Sequence, residues 1–123
     1  MNASTSSAHD IRIYHNPRCS KSRQTLELLQ ENNISPEIIL YLDNPPSKSE
    51  LQSLLKKLGL HARALLRTSE DAHRELGLAD PNLDDERLIE AMLQAPKLIQ
   101  RPIVVAGDKA VLGRPPENVL ALL

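Results

Sequence analysis

Residues 11–42 have the strand, helix and strand order of a βαβ unit, and this order restricts the fold more than any other feature. The run IRIYH at 11–15 is short and β-prone, and TLELLQENN at 25–33 has the leucine stripe of a helix. PEIILYL at 36–42 is continuously apolar and β-branched, which predicts a strand buried on both faces. We expect the two strands to be parallel, with a right-handed crossover.

The middle of the chain is predicted to be helical. Ser47, followed by Glu50 three residues later, has the pattern of a capping box before a leucine-rich helix that Gly59 ends. Three further helical segments follow: ARALLR at 62–67, EDAHRELGL at 70–78 and DERLIEAMLQA at 85–95.

The C-terminal part is predicted to add two strands to the sheet. Its sequence predicts a strand at 103–106, a Gly-Asp turn, a strand at 110–112 and a last helix that begins at Pro115 and Pro116. The complete order predicts an α/β fold of the α+β sandwich kind, a four-stranded mixed sheet with a helical insertion. Thioredoxin-like folds have this order, but order alone leaves other α+β sandwiches open, so the residues of the site must decide between them. Residues 1–10 are small and polar and are expected to form a disordered tail, and residues 11–123 a single domain.

Composition and charge argue against several classes of function. The chain has no Trp or Phe, so it lacks the aromatic platforms that bind single-stranded nucleic acid. Its 15 basic and 16 acidic residues give a net charge of −1, which draws it neither to nucleic acid nor to anionic membranes. No apolar run approaches the roughly 18 to 20 residues that span a bilayer. One cysteine and no pattern of a secretory signal predict a cytoplasmic protein with a reduced thiol.

The single cysteine, Cys19, lies between a Pro-Arg turn and the expected start of a helix. A lone cysteine is most often a small buried hydrophobic residue. At a helix N-terminus, however, the unsatisfied N–H groups and the helix dipole stabilise a thiolate and can bind an oxyanion. Arg18, Lys21 and Arg23 add positive charge, and His15 could pair with the thiolate or orient the turn. The sequence therefore predicts a reactive, partly ionised cysteine.

Residue spacing around Cys19 limits its chemistry. CSKS corresponds to a C-x-x-C redox motif with Ser22 in place of the second cysteine, so turnover would need an external thiol. A metal site is not expected, because Cys19 and three of the four histidines, His15, His61 and His73, show no ligand spacing.

Three arginines have neighbours that indicate a site. Arg101 precedes Pro102 at a strand entrance, where thioredoxin-like proteins keep a cis-proline that faces the cysteine. Arg114 ends the next strand, and Arg67 lies in ALLRTSE. Singly, each arginine would be assigned to the surface. Together they suit a tetrahedral oxyanion, because a guanidinium binds it in bidentate fashion and stays charged.

The motifs HNPRCSKSRQTLELL, ALLRTSEDAHRELGL, RPIVV and GRPPE together resemble the glutaredoxin-coupled arsenate reductase family, which has a thioredoxin-like fold with a helical insertion. The resemblance runs in register from Ile11 to the C-terminus. It implies that Cys19 is the nucleophile that attacks arsenate, and that three arginines bind the oxyanion and its thiol adduct: Arg67, Arg101 and Arg114.

The resemblance also implies the remaining parts of the site. His15 would help to lower the cysteine pKa, and four residues would support the site: Asn16, Ser22, Arg23 and Pro102. No cofactor would be bound; the substrate would be arsenate or a similar oxyanion, with glutathione as the external reductant and glutaredoxin as the partner protein. One departure is Ser20-Lys21, where better-known members have Gly-Thr. These residues form the floor of the anion loop, so the change bears on substrate and rate.

Two alternatives stay open. A general glutathione-dependent thiol oxidoreductase of the same fold would use Cys19 with little arsenate activity and without convergent arginines. A related group with a C-x-x-C motif binds RNA polymerase as a transcriptional regulator, but Ser22 removes that redox switch. Reductases of the low-molecular-weight phosphatase type are excluded, because they need Cys-x5-Arg and the sixth residue after Cys19 is Thr25.

Overall fold

The structure, a computed structural model, describes residues 11–123, so the tail predicted for residues 1–10 lies outside the described residues. The described chain divides into two compact units. One contains the residues up to Tyr41 together with Arg101–Leu123, and the other contains Leu42–Gln100. The single domain expected from the sequence stays a prediction.

The first unit contains a four-stranded mixed sheet, as predicted. Its strands lie in the order β2-β1-β3-β4. β1 pairs in parallel with β2 and antiparallel with β3, and β3 pairs antiparallel with β4 through a turn at Gly107. The strands are β1 (Ile11–Tyr14), β2 (Glu37–Ile39), β3 (Ile103–Ala106) and β4 (Lys109–Leu112).

One α-helix and a 3₁₀ helix belong to the same unit. The helix α1 (Ser20–Glu31) connects the two parallel strands. The segment Pro116–Leu122 forms a 3₁₀ helix where the sequence predicted an ordinary helix. Both helices contribute to an aliphatic core with the strands: Ile11, Ile13, Leu29, Val104 and Val119 are all buried.

The strand β2 differs from the prediction in its length and its burial. It spans only Glu37–Ile39, and the side chains of Ile38 and Leu40 are 46% and 38% exposed. β2 lies at the edge of the sheet and pairs only with β1. Burial on both faces was therefore a wrong prediction, because an apolar run does not reveal whether its strand is central or at an edge.

The second unit is helical. Its α-helices are α2 (Lys48–Leu58), α3 (Ala62–Leu65), α4 (Asp71–Glu75) and α5 (Asp85–Gln94), followed by a 3₁₀ turn at Pro96–Leu98. The capping box is confirmed: Ser47 Oγ accepts the Glu50 N–H at 3.1 Å, and Gly59 ends α2 with φ of 69°. Similarly, the Asp84 side chain accepts the Arg87 N–H at the start of α5.

Among residues 11–123, no helix is both long and apolar enough to cross a membrane.

Candidate active site

Cys19 lies at the N-cap position of α1, as the sequence predicted. Its N–H donates to Asn16 O at 3.0 Å, and its own carbonyl accepts the Arg23 N–H at 3.0 Å. The side chain makes no capping hydrogen bond, and the first turn of the helix contains no acidic residue. The sulfur therefore faces N–H groups and a helix dipole that no carboxylate of the first helical turn neutralises.

Several groups act on the pKa of Cys19. Burial is the largest influence and raises the pKa of the thiol. It is outweighed by the Ser22 N–H, by the hydrogen bond and positive charge of Arg101, and by the Lys21 N–H, so that the pKa is lowered overall. The thiolate is the nucleophilic form of cysteine. Cys19 is therefore more readily ionised to the nucleophilic thiolate than an ordinary cysteine.

His15, Asn16 and Ser22 form one buried network beside Cys19. The Ser22 hydroxyl lies 2.7 Å from His15 Nδ1 and accepts the Asn16 N–H at 3.1 Å. Burial and the charge of Arg23 lower the pKa of His15, so the imidazole is neutral at pH 7. His15 is not among the groups that shift the Cys19 pKa. Of the two roles considered for it, orientation of the turn is the one its contacts support.

Arg101 and Pro102 precede β3, and Arg101 lies beside the cysteine. The peptide bond between them is cis, as predicted, and the guanidinium of Arg101 acts on the Cys19 sulfur. Arg101 Nε is buried and has no hydrogen-bond partner in the described part of the chain. A buried charged donor without an acceptor is costly.

Arg114 lies on the neighbouring segment, where a second cis peptide bond joins it to Pro115. Arg114 Nη1 donates to the carbonyl of Arg101 at 3.3 Å, so two of the three arginines predicted to bind the oxyanion are directly connected. The side chain of Arg114 is exposed.

The other predicted cations differ in their placement. Arg23 donates to Pro17 O at 2.8 Å and so braces the loop before Cys19; like Arg18 and Lys21, it is exposed. Arg67 belongs to the helical unit, where its Nε lies 3.5 Å from a Glu70 carboxylate oxygen and its N–H donates to Leu98 O. The roles of all these residues stay predictions.

Thr25 and Gly113 are part of the site's framework, and the sequence reasoning assigned them no role there. Thr25 is fully buried; its hydroxyl donates to Lys21 O at 2.7 Å and lies 3.2 Å from Gly113 O. The Gly113 N–H donates to Pro102 O at 2.9 Å. A glycine directly before Arg-Pro-Pro, at the end of a strand, was the available signal, since such a glycine often marks a close approach of two backbones.

No group of three or more His, Cys, Asp or Glu side chains that could hold a metal ion occurs within residues 11–123.

Comparison with known proteins identifies the family. The model of the ArsC family matches residues 14–122. The protein YfgD of Escherichia coli (strain K12) is 56% identical over 92% of this chain and 96% of its own. A protein of Neisseria meningitidis serogroup A named arsenate reductase is 51% identical over 93% of this chain and 98% of its own.

A solved structure agrees with this result. A structure described as arsenate reductase from Vibrio cholerae has a TM-score of 0.89 and 51% identity, covering 92% of this chain and 97% of that one. The match includes the thioredoxin-like sheet with its helices. The chain belongs to the ArsC family.

Proposed function

We propose that this protein is an arsenate reductase that reduces arsenate to arsenite through Cys19. Relatives that bear this name are about half identical to the chain over nearly its whole length. The observation that carries the proposal is the pairing of a cysteine of lowered pKa with Arg101, whose buried Nε has no acceptor within residues 11–123. A nucleophilic sulfur beside a guanidinium that has an unused hydrogen-bond donor is suited to attack on an anionic substrate.

The first chemical step is attack of the Cys19 thiolate on arsenic. A sulfur–arsenic bond forms, and one arsenate oxygen leaves as water after it takes up protons. The N–H groups of Ser22 and Lys21, freed from the thiolate's charge, and the guanidinium of Arg101 stabilise the anionic adduct. Arg114 is proposed to bind the same oxyanion. For Arg67 the proposed role rests on the sequence resemblance alone.

The second step needs a thiol from outside, because Cys19 is the single cysteine of the sequence. Glutathione attacks the Cys19 sulfur, so that a sulfur–sulfur bond forms and the sulfur–arsenic bond breaks. The electron pair of that bond stays on arsenic, which becomes arsenite. A second thiol, from glutaredoxin or glutathione, then reduces the mixed disulfide and restores Cys19. In sum, one arsenate and two thiols give arsenite, a disulfide and water.

This scheme implies a cellular compartment for the protein and a source for its electrons. A catalytic thiol that must stay reduced, and a glutathione pool to reduce it, fit the cytoplasm. We propose no bound cofactor, because the electrons come from diffusible thiols.

The alternative, a glutathione-dependent thiol oxidoreductase with little arsenate activity, is favoured by one observation. Ser20 and Lys21 occupy the start of α1, where the better-known members have Gly-Thr, and Lys21 contributes an N–H to the anion site. A change in these residues is expected to affect which oxyanion the site binds more than it affects the reactivity of the thiol.

A coupled assay separates the two functions. Arsenate, glutathione, glutaredoxin, glutathione reductase and NADPH are combined, and NADPH oxidation is followed with and without arsenate. A parallel assay replaces arsenate with a small mixed disulfide. We expect an arsenate-dependent rate in the wild type and none in Cys19→Ser, because the serine hydroxyl stays protonated at neutral pH. A rate with the disulfide but none with arsenate would establish the alternative.

A further inference from the structure

The backbone at Gly113 approaches the side chains around it more closely than any other residue type would permit. A Cβ added to Gly113 would lie 2.5 Å from Thr25 Oγ1 and 2.8 Å from Pro102 Cγ. Its φ lies outside the left-handed region, so space rather than conformation requires the glycine. Only Gly113 has neighbours within 4 Å of such a Cβ; at Gly59, Gly77 and Gly107 that space is open.

The contact joins the pieces of the site that must face one another. Thr25 lies in α1, six residues after Cys19. Its hydroxyl donates to Lys21 O in the first turn of that helix. The same hydroxyl lies 3.2 Å from Gly113 O, one residue before Arg114. The Gly113 N–H in turn donates to Pro102 O, one residue after Arg101. Thr25 and Gly113 thus attach the segments that carry both arginines to the helix that carries the cysteine.

We propose that Thr25 and Gly113 are positioning residues, which fix the distance between the cysteine at the start of α1 and the guanidinium groups of Arg101 and Arg114. Neither residue touches the substrate. The inference rests on the proposed function only for the identity of the oxyanion. The position of Arg101 relative to the sulfur can be followed without substrate, because Arg101 acts on the pKa of Cys19.

Gly113→Ala tests the proposal by introducing a steric clash. The new methyl group must push α1 away from the segments at Pro102 and Gly113, because 2.5 Å is shorter than any ordinary contact. Arg101 then acts less strongly on the sulfur, so the Cys19 pKa rises. The pH dependence of Cys19 alkylation measures this without any substrate. With arsenate, we expect KM to rise about tenfold, the effect of weakening one charged hydrogen bond.

The matched control is Gly107→Ala. Gly107 has φ of 64° and open space around it, so this variant strains the backbone without displacing a neighbour. It should lose stability while the Cys19 pKa and the KM for arsenate stay at wild-type values. A purely structural role of Gly113 would make the two variants behave alike.

Thr25 supplies a second test should Gly113→Ala fail to fold. Thr25→Val keeps the shape but removes the hydroxyl, whereas Thr25→Ser keeps the hydroxyl. We expect the Cys19 pKa to rise in Thr25→Val and to return to the wild-type value in Thr25→Ser. At pH well above the thiol pKa, the rate deficit of Thr25→Val should shrink, since the thiolate is then fully formed.

The outcomes are distinct. If the Cys19 pKa stays unchanged in both Gly113→Ala and Thr25→Val, the proposal is overturned. If the pKa rises in those variants but the wild type shows no arsenate-dependent rate, the positioning role stands and the arsenate reductase function fails.

Discussion

The change Arg101→Met removes the guanidinium that acts on Cys19 while it keeps an unbranched side chain of similar length. Arg101 Nε has no acceptor within the described residues, so we assign one charged hydrogen bond to the oxyanion to it. Such a bond contributes about 1.5 to 3 kcal/mol. At about 1.36 kcal/mol for each factor of ten, kcat/KM for arsenate should fall roughly 10- to 160-fold even where the thiol is fully ionised.

At neutral pH the loss should be larger. Burial raises the pKa of Cys19, and without Arg101 only the N–H groups of Ser22 and Lys21 oppose it, so the pKa of the variant rises. The thiolate fraction at pH 7 then falls, so kcat/KM for arsenate is reduced by this factor in addition to the factor from the lost hydrogen bond. Arg101→Lys, which keeps the charge but not the planar fork, should give an intermediate value.

The assay is kcat/KM for arsenate from pH 6 to 10, with the thiol pKa measured separately by alkylation. Arg74→Met is the control, because Arg74 has an 82% exposed side chain and should change neither quantity. If Arg101→Met matches the wild type at high pH and differs only at low pH, then Arg101 ionises the thiol but does not bind the oxyanion. That result would refute the assigned hydrogen bond.

Two further predictions concern the network beside the cysteine. Ser22→Ala removes the partner of the buried Asn16 N–H and of His15 Nδ1, and should lower the free energy of unfolding in urea by about 1 to 3 kcal/mol; no measurable change would show that water replaces the hydroxyl. Because the folded-state pKa of His15 is lowered, the unfolded chain binds more protons, so the free energy of unfolding should fall as the pH drops below about 6.5 towards the folded-state pKa. The difference between wild type and His15→Gln, measured in urea at several pH values, isolates this dependence, and a difference that does not vary with pH would contradict it.

Local sequence signals were sufficient for much of the site. The position of Cys19 at a helix N-terminus followed from the turn before it and the leucine stripe after it. The cis peptide bond at Pro102 followed from its place before a strand together with the cis-proline that thioredoxin-like proteins keep there. The capping box of Ser47 was equally local, because its two partners are three residues apart.

Other features depend on residues that are far apart in the sequence. The exposure of Ile38 follows from the edge position of β2, which is set by pairings with distant strands. Thr25 and Gly113 meet across 88 positions of the chain, so no local pattern connects them. The neutrality of His15 depends on burial and on Arg23, neither of which the spacing of the loop reveals.

The N-cap position of α1 has a consequence for how this sequence is selected. The chain caps α2 with Ser47 and α5 with Asp84, and such caps typically stabilise a protein by about 0.5 to 2 kcal/mol. At α1 the same position holds Cys19, whose side chain makes no capping bond. A serine there would be the better residue for folding, yet it would lack a nucleophilic thiolate. Under the proposed function, folding and chemistry therefore favour different residues at this one position, and Cys19 is the residue that the chemistry requires.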